Sequence, residues 1–168
     1  KQPDKVVFYF LSEDALHTGD FQDKSLTYKD FNKKVSSLAG GLLQAGINKG
    51  DGVIVFVPIS PELYISIAGL QRIGAIPVLL DSWVRNEQLT EILQNSQPSG
   101  IIAPSAWLKA FGNNLDIFGI QVRVSTDDYA AGKGVIQLSN LLKGKAQKIV
   151  PVEQNDTALI TYTTGSSG

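Results

Sequence analysis

The stretch GDGVIVFVPISPELYISIAGLQRIGAIPVLLD, from Gly50 to Asp81, decides the fold. Val53 to Val57 is a continuous apolar run, the pattern of a strand buried on both faces. Ser60-Pro61-Glu62 then opens a helix. The Ser hydroxyl can accept from a free backbone N–H, Pro61 forfeits no hydrogen bond at the first helical position, and Glu62 faces the positive helix end. The Ser60 cap is worth about 1 kcal/mol. The helix is expected to reach Ile73 and stop at Gly74, and Ala75–Leu80 reads as a second buried strand. Pro77 has no N–H to donate, so an edge, a bulge or a strand start is expected there. Strand, helix and strand joined by short turns make a βαβ unit, hence a right-handed crossover and a parallel sheet.

The flanking sequence repeats the alternation. On the N-terminal side, LTYKDFNKKVSSLAGGLLQAG places Tyr28, Phe31, Val35, Leu38 and Leu42 at steps of three and four, one apolar stripe of a helix. Thr27 is its expected N-cap, with Asp30 three residues on imitating a capping box, and Gly46 supplies the stop. On the C-terminal side, NEQLTEILQNSQP is a helix with Leu89, Ile92 and Leu93 inward and Pro98 beyond its end. Gly100–Ala103 is a short strand, Ala106–Phe111 a helix and Ile120–Val124 a strand. Gly132–Gly134 marks a loop and Val150–Asp156 a polar connector, before ALITY gives one more buried strand. The expected fold class is therefore α/β, a doubly wound, mostly parallel sheet with helices on both faces. Residues 1–25 read as a lead-in and 26–168 as the α/β unit.

Composition narrows the function. The 168 residues carry 15 basic and 16 acidic side chains, net −1, so no basic face of the size nucleic acid requires is expected. The run Lys143–Lys148 is short and interrupted, a solvated surface. There is no Cys, which excludes disulfides, thiolate zinc sites and cysteine nucleophiles from these residues. His17 stands alone and cannot build a multi-histidine metal site here; it reads as a surface residue. No apolar run approaches the roughly 18 residues of a membrane span, and KQPDK is no signal peptide, so a soluble, cytoplasmic protein is expected. Asp81 reads as an N-cap or turn carboxylate, with a ligand contact as the alternative. Trp83 and Trp107 read as packing aromatics, with a pocket as the alternative.

The last residues, TTGSSG from Thr163 to Gly168, follow the ALITY strand. Ligands of such sheets sit beyond the carboxyl ends of the strands. Gly165 and Gly168 let backbone approach a ligand closely, and successive N–H groups there can cradle an anion. Thr163, Thr164, Ser166 and Ser167 add hydroxyls able to donate to phosphate oxygens. The stretch fits neither G-x-x-x-x-G-K-[ST] nor G-x-G-x-x-G. From the residues alone, a phosphate loop, a flexible tail and a linker remnant all stay open.

YTTGSSG resembles the Thr/Ser/Gly-rich phosphate loop of the adenylate-forming superfamily, whose pattern is roughly [YF]-T-[ST]-G-[ST]-[ST]-G followed by x-P-K. Three further stretches match that family in order: LTYKDFNKKVSSLAGGLLQAGINKGDGV, VPISPELYISIAGLQRIGAIPVLLD and IIAPSAW. The resemblance spans Leu26–Gly168. It implies the N-terminal subdomain of an acyl-CoA synthetase-like fold, part of an ATP-dependent carboxylic acid ligase that forms an acyl-adenylate and releases pyrophosphate. It further implies ATP with Mg²⁺, coenzyme A as a possible acceptor, and Thr163, Thr164, Gly165, Ser166, Ser167 and Gly168 as the residues contacting nucleotide. Tyr162 would end the preceding strand. The family's Pro-Lys, adenine and magnesium motifs and C-terminal lid lie beyond Gly168, so these residues alone are expected to be inactive. Two other classes compete: a stand-alone nucleotide- or anion-binding module, and an interaction domain with a GSSG tail.

A parallel sheet ending at ALITY is expected to leave apolar surface or a strand edge open, and such surface drives association. Light scattering across a concentration series should show the 168-residue chain as a dimer or larger; a concentration-independent monomer would count against this.

Overall fold

The computed structural model of the chain describes residues 2–11, 24–80, 84, 86–128 and 132–162. Within them, β1 (Val6–Phe10) pairs antiparallel with β2 (Lys24–Thr27) as a two-stranded ribbon with an irregular register between Val6 and Phe8. The chain then forms α1 (Tyr28–Ala45), β3 (Gly52–Val55), α2 (Pro61–Arg72), β4 (Ile76–Leu79), α3 (Asn86–Ser96) and β5 (Gly100–Ala103). Two short helices, α4 (Ser105–Ala110) and α5 (Gly112–Ile117), lead to β6 (Val122–Ser125). Last come β7 (Val135–Gln137), α6 (Leu138–Leu141) and β8 (Ile160–Thr161).

The helix ends are built as their residues dictate. Thr27 Oγ1 accepts from the Asp30 N–H at 3.1 Å, and Gly46 closes α1 with φ 105°, a left-handed conformation that costs Gly little. Ser60 Oγ accepts from the Leu63 N–H at 3.4 Å with Pro61 at the first helical position, and Gly74 ends the connection to β4 at φ 72°. Leu89, Ile92 and Leu93 face inward from α3, as expected.

Six parallel strands stand in the order β7-β6-β5-β3-β4-β8. Because successive strand residues point to opposite faces, Val53 and Val55 enter one core and Ile54 the other. The first core is closed by α1, α2 and α6 through Leu38, Leu42, Ile65, Leu70 and Leu141. The second is closed by α3, α4 and α5 through Leu89, Leu93, Leu108 and Leu115. Each fully buried Leu stabilises by about 1.5–3 kcal/mol. The distribution of helices follows from handedness: β3 to β4 runs one way across the sheet and β4 to β5 runs back, so right-handed crossovers put α2 and α3 on opposite faces. The doubly wound α/β sheet is therefore present as read.

Several details differ from expectation. β3 ends at Val55, although the Phe56 N–H still donates to the Ile102 carbonyl, because Pro58 follows so closely. Pro77 lies inside β4, which is an interior strand. The Ile76 N–H faces β3, donating to the Asp51 carbonyl, so alternation turns residue 77 toward β8, whose pairing begins only at Val78. The missing donor falls where no partner strand stands. The ALITY run yields only the two residues of β8, with Thr161 exposed and Leu159 39% exposed, because an edge strand is covered from one side. Helix α5 follows α4 where only one helix was expected, and β7 and α6 were not foreseen.

Residues 145–159 carry no helix or strand and form a strap from α6 at one side of the sheet to β8 at the other, crossing over α1 and α2. The Gln147 N–H donates to the Ser36 carbonyl at 2.9 Å, and Arg72 Nε donates to the Gln147 carbonyl at 2.7 Å. The Val150 N–H donates to the Arg72 carbonyl, Lys49 Nζ reaches both the Pro151 carbonyl and Asp156, and Gln71 Nε2 donates to the Ala158 carbonyl at 3.1 Å. The Lys49 ammonium, seconded by the Glu153 N–H, holds the Asp156 carboxyl below its ordinary range.

Gly40 sits where the strap meets α1, and a Cβ there would collide with the Lys145 carbonyl oxygen. Gly→Ala inside a helix gains about 1 kcal/mol in propensity. Displacing backbone costs more, so Gly40→Ala should lower stability by about 1–2 kcal/mol net, read as a lower urea midpoint. A raised midpoint would mean that the strap yields freely.

Candidate active-site edge

All six strands of the main sheet run parallel, so their carboxyl ends share one edge, where connecting loops can approach a ligand. At that edge the chain leaves β3 toward α2 on one face, and leaves the adjacent β5 toward α4 on the other. Aromatic rings stand beside this switch point on the second face. Phe56 stacks on Trp107 with centroids 5.0 Å apart, and Trp107 meets Phe111 at 4.3 Å. All three are half-buried against the second core, so Trp107 packs, as expected. Such ring pairs are worth about 0.5–1.5 kcal/mol beyond their buried area.

The polar groups beside this edge are engaged with one another. Helix α4 begins after Pro104, which offers no capping side chain. Asp127, in the loop after β6, supplies the acceptor: its Oδ2 receives the Ser105 N–H at 2.8 Å. The Ser125 hydroxyl in turn donates to the Asp127 carbonyl at 3.0 Å, and the Ser139 hydroxyl donates to Asp128 Oδ1 at 2.7 Å. These bonds tie the carboxyl ends of β5, β6 and β7 into one rigid rim. Asp127 was not singled out from sequence, since its partner lies 22 residues away; the only local signal was an Asp pair just after a strand.

The opposite end of the same edge belongs to β8. Val78 pairs with Ile160 and Leu79 with Thr161, and the Tyr162 N–H extends the ladder by donating to the Leu79 carbonyl at 3.2 Å. Tyr162 also packs against the second core, as a residue ending the strand should. The chain thus reaches the carboxyl edge at Tyr162. The expected nucleotide-contacting residues, Thr163 to Gly168, start at the next position and lie outside the described residues, as do His17, Asp81 and Trp83. Among the described residues no group of three or more His, Cys, Asp or Glu could hold a metal ion. Nor is any helix among them long and apolar enough to cross a membrane.

The family model described as AMP-binding enzyme matches residues 1–168. The chain belongs to that family. The chain is 28% identical over 173 aligned residues to bacitracin synthase 3 of Bacillus licheniformis, covering 98% of the chain and 2% of that protein. It is 27% identical to the mitochondrial acyl-CoA synthetase short-chain family member 3 of Bos taurus, over 86% of the chain and 24% of that protein. Among solved structures, a long-chain-fatty-acid-CoA ligase from Archaeoglobus fulgidus matches with TM-score 0.76 and 26% identity, over 89% of this chain and 29% of that one. The chain therefore spans less than a third of these relatives, and its sheet is the acyl-CoA ligase fold over that span.

Since Asp127 caps α4 from a distant loop, Asp127→Ala should lower stability by about 1 kcal/mol, a typical cap loss. A urea midpoint equal to that of the unchanged chain would remove this role.

Proposed function

We propose that this chain supplies the phosphate-contacting part of an ATP-dependent carboxylic acid ligase that forms an acyl-adenylate, releases pyrophosphate and passes the acyl group to a thiol such as coenzyme A. One observation carries the reading. The parallel addition of β8 to β4 brings Tyr162, immediately before TTGSSG, to the carboxyl edge of the sheet. The acyl-CoA ligases among its relatives support the substrate class.

In this reading Thr163, Thr164, Gly165, Ser166, Ser167 and Gly168 hold the outer phosphates of ATP. Backbone N–H groups and hydroxyls aimed at those oxygens stabilise the charge that gathers on departing pyrophosphate. The two glycines admit the close approach such a grip needs. Mg²⁺ accompanies the polyphosphate and neutralises part of its charge. The outer edge of β8, which has no strand beyond it among the described residues, with exposed Leu159 beside it, supports self-association of the 168-residue chain.

The test is ATP–pyrophosphate exchange by the complete reading frame with a panel of carboxylic acids. Thr164→Ala with Ser167→Ala should lower kcat/KM for ATP about 10²-fold, while the KM for the acid changes little. Undiminished exchange in the double variant would refute the assignment.

A further inference from the structure

β8 is the shortest strand of the main sheet, two residues paired on one side only, and the strap before it is exposed along most of its length. Two rungs of ladder do not by themselves register a strand at the end of so long an unsupported segment. What registers it is a set of polar ties, and three of these meet the last turn of α2. Arg72 takes the strap twice, through Nε to the Gln147 carbonyl and through its own carbonyl from the Val150 N–H. Its guanidinium is braced in turn by Nη1 donating to Asn32 Oδ1 at 3.3 Å on α1. Gln71 takes the strap again at Ala158, two residues before β8 begins.

We infer that Arg72 and Gln71 are positioning residues: by fastening the strap to the end of α2 they set the register of β8 on β4, and through it the placement of the loop that begins at Thr163. The inference rests on the reading of that loop as the phosphate contact. Neither side chain need touch a ligand. Two of the ties run from side chain to main chain, and the third, from the Val150 N–H to the Arg72 carbonyl, is main chain to main chain. Val150 also packs against the first core, but neither Arg72 nor Gln71 contributes a buried apolar side chain, so the side-chain ties can be cut without opening the hydrophobic interior. A fastening of this kind is where a fold opens first, because few apolar contacts oppose it.

The measurement is NMR-detected hydrogen exchange on the 168-residue chain, for Arg72→Ala, Arg72→Lys and Gln71→Ala. Loss of the Arg72 guanidinium should speed exchange at the Val150 and Tyr162 amides about tenfold, and leave Val55 and Ile102 in the sheet centre unchanged. Arg72→Lys, which keeps a donor for the Gln147 carbonyl, should restore part of the protection. Gln71→Ala, at an exposed position, should speed Tyr162 without touching Val150. Tyr162 protection unchanged in both alanine variants would overturn the coupling, and so would exchange rising equally at Val55 and Ile102. In the complete reading frame, Arg72→Ala should raise the KM for ATP about tenfold with kcat nearly kept. If Tyr162 loosens while the KM for ATP stays put, the strap does set β8, and the phosphate-loop assignment fails instead.

Discussion

β3 is hydrogen-bonded to β4 on one side and β5 on the other, while Val53 and Val55 point into one core and Ile54 into the other. A strand enclosed in this way exposes neither edge nor face, so its backbone groups have no recourse to water and must pair with their neighbours. Both neighbours are apolar because both faces are covered, and parallel because a helix returns the chain to the same end each time. Reaching them from opposite directions with right-handed crossovers puts α2 on one face and α3 on the other. The carboxyl ends of all six strands consequently meet at a single edge, and the switch point between β3 and β5 is a consequence of the same rule.

Energetically the molecule divides into two unequal parts. The sheet centre and its helices bury side chains on both faces, with Leu38, Leu42, Ile54 and Ile101 wholly inaccessible. The strap instead meets the rest of the molecule mainly through hydrogen bonds and one exposed ion pair, with Val150 packed against the first core. Ordering its backbone costs about 1–2 kcal/mol per residue, while each neutral hydrogen bond returns about 1 kcal/mol net. An exposed pair such as Lys49–Asp156 adds little. The strap therefore depends on being tethered at both ends, and it is the part of the fold with least reserve.

Local chemistry was legible from residues alone. Thr27, Gly46, Ser60, Pro61 and Gly74 announce helix ends because capping and positive φ are decided within a few residues. The runs around Val53, Val78 and Ile101 announce buried strands because enclosure on both faces erases alternation. What stayed hidden depends on distant partners. Pro77 looked misplaced until the short reach of β8 was known, and ALITY looked buried although an edge position leaves it half covered. Helix α5 opens with Gly112-Asn113-Asn114, which reads as a loop, and its helicity comes from packing Leu115 into the second core. At the candidate site the loop after β8 was read by resemblance and by its place after a strand, and its residues lie outside the described ones. Asp127 under α4 and the Phe56–Trp107 stack were not, since each joins residues far apart in sequence.

The order of the strands also bears on how the chain acquires its shape as it is made. β3, β4, β5, β6 and β7 all precede residue 138, whereas β8 comes after the strap. During synthesis from the N-terminus, the five-stranded body with both layers of helices can close before Ile160 has left the ribosome. β8 then docks onto the finished flank of β4 across more than eighty residues of intervening chain, the slowest kind of contact to find. The segment leading to the candidate nucleotide loop is thus the last of the six described strands to arrive, and the other five can stand as a folded platform before it docks.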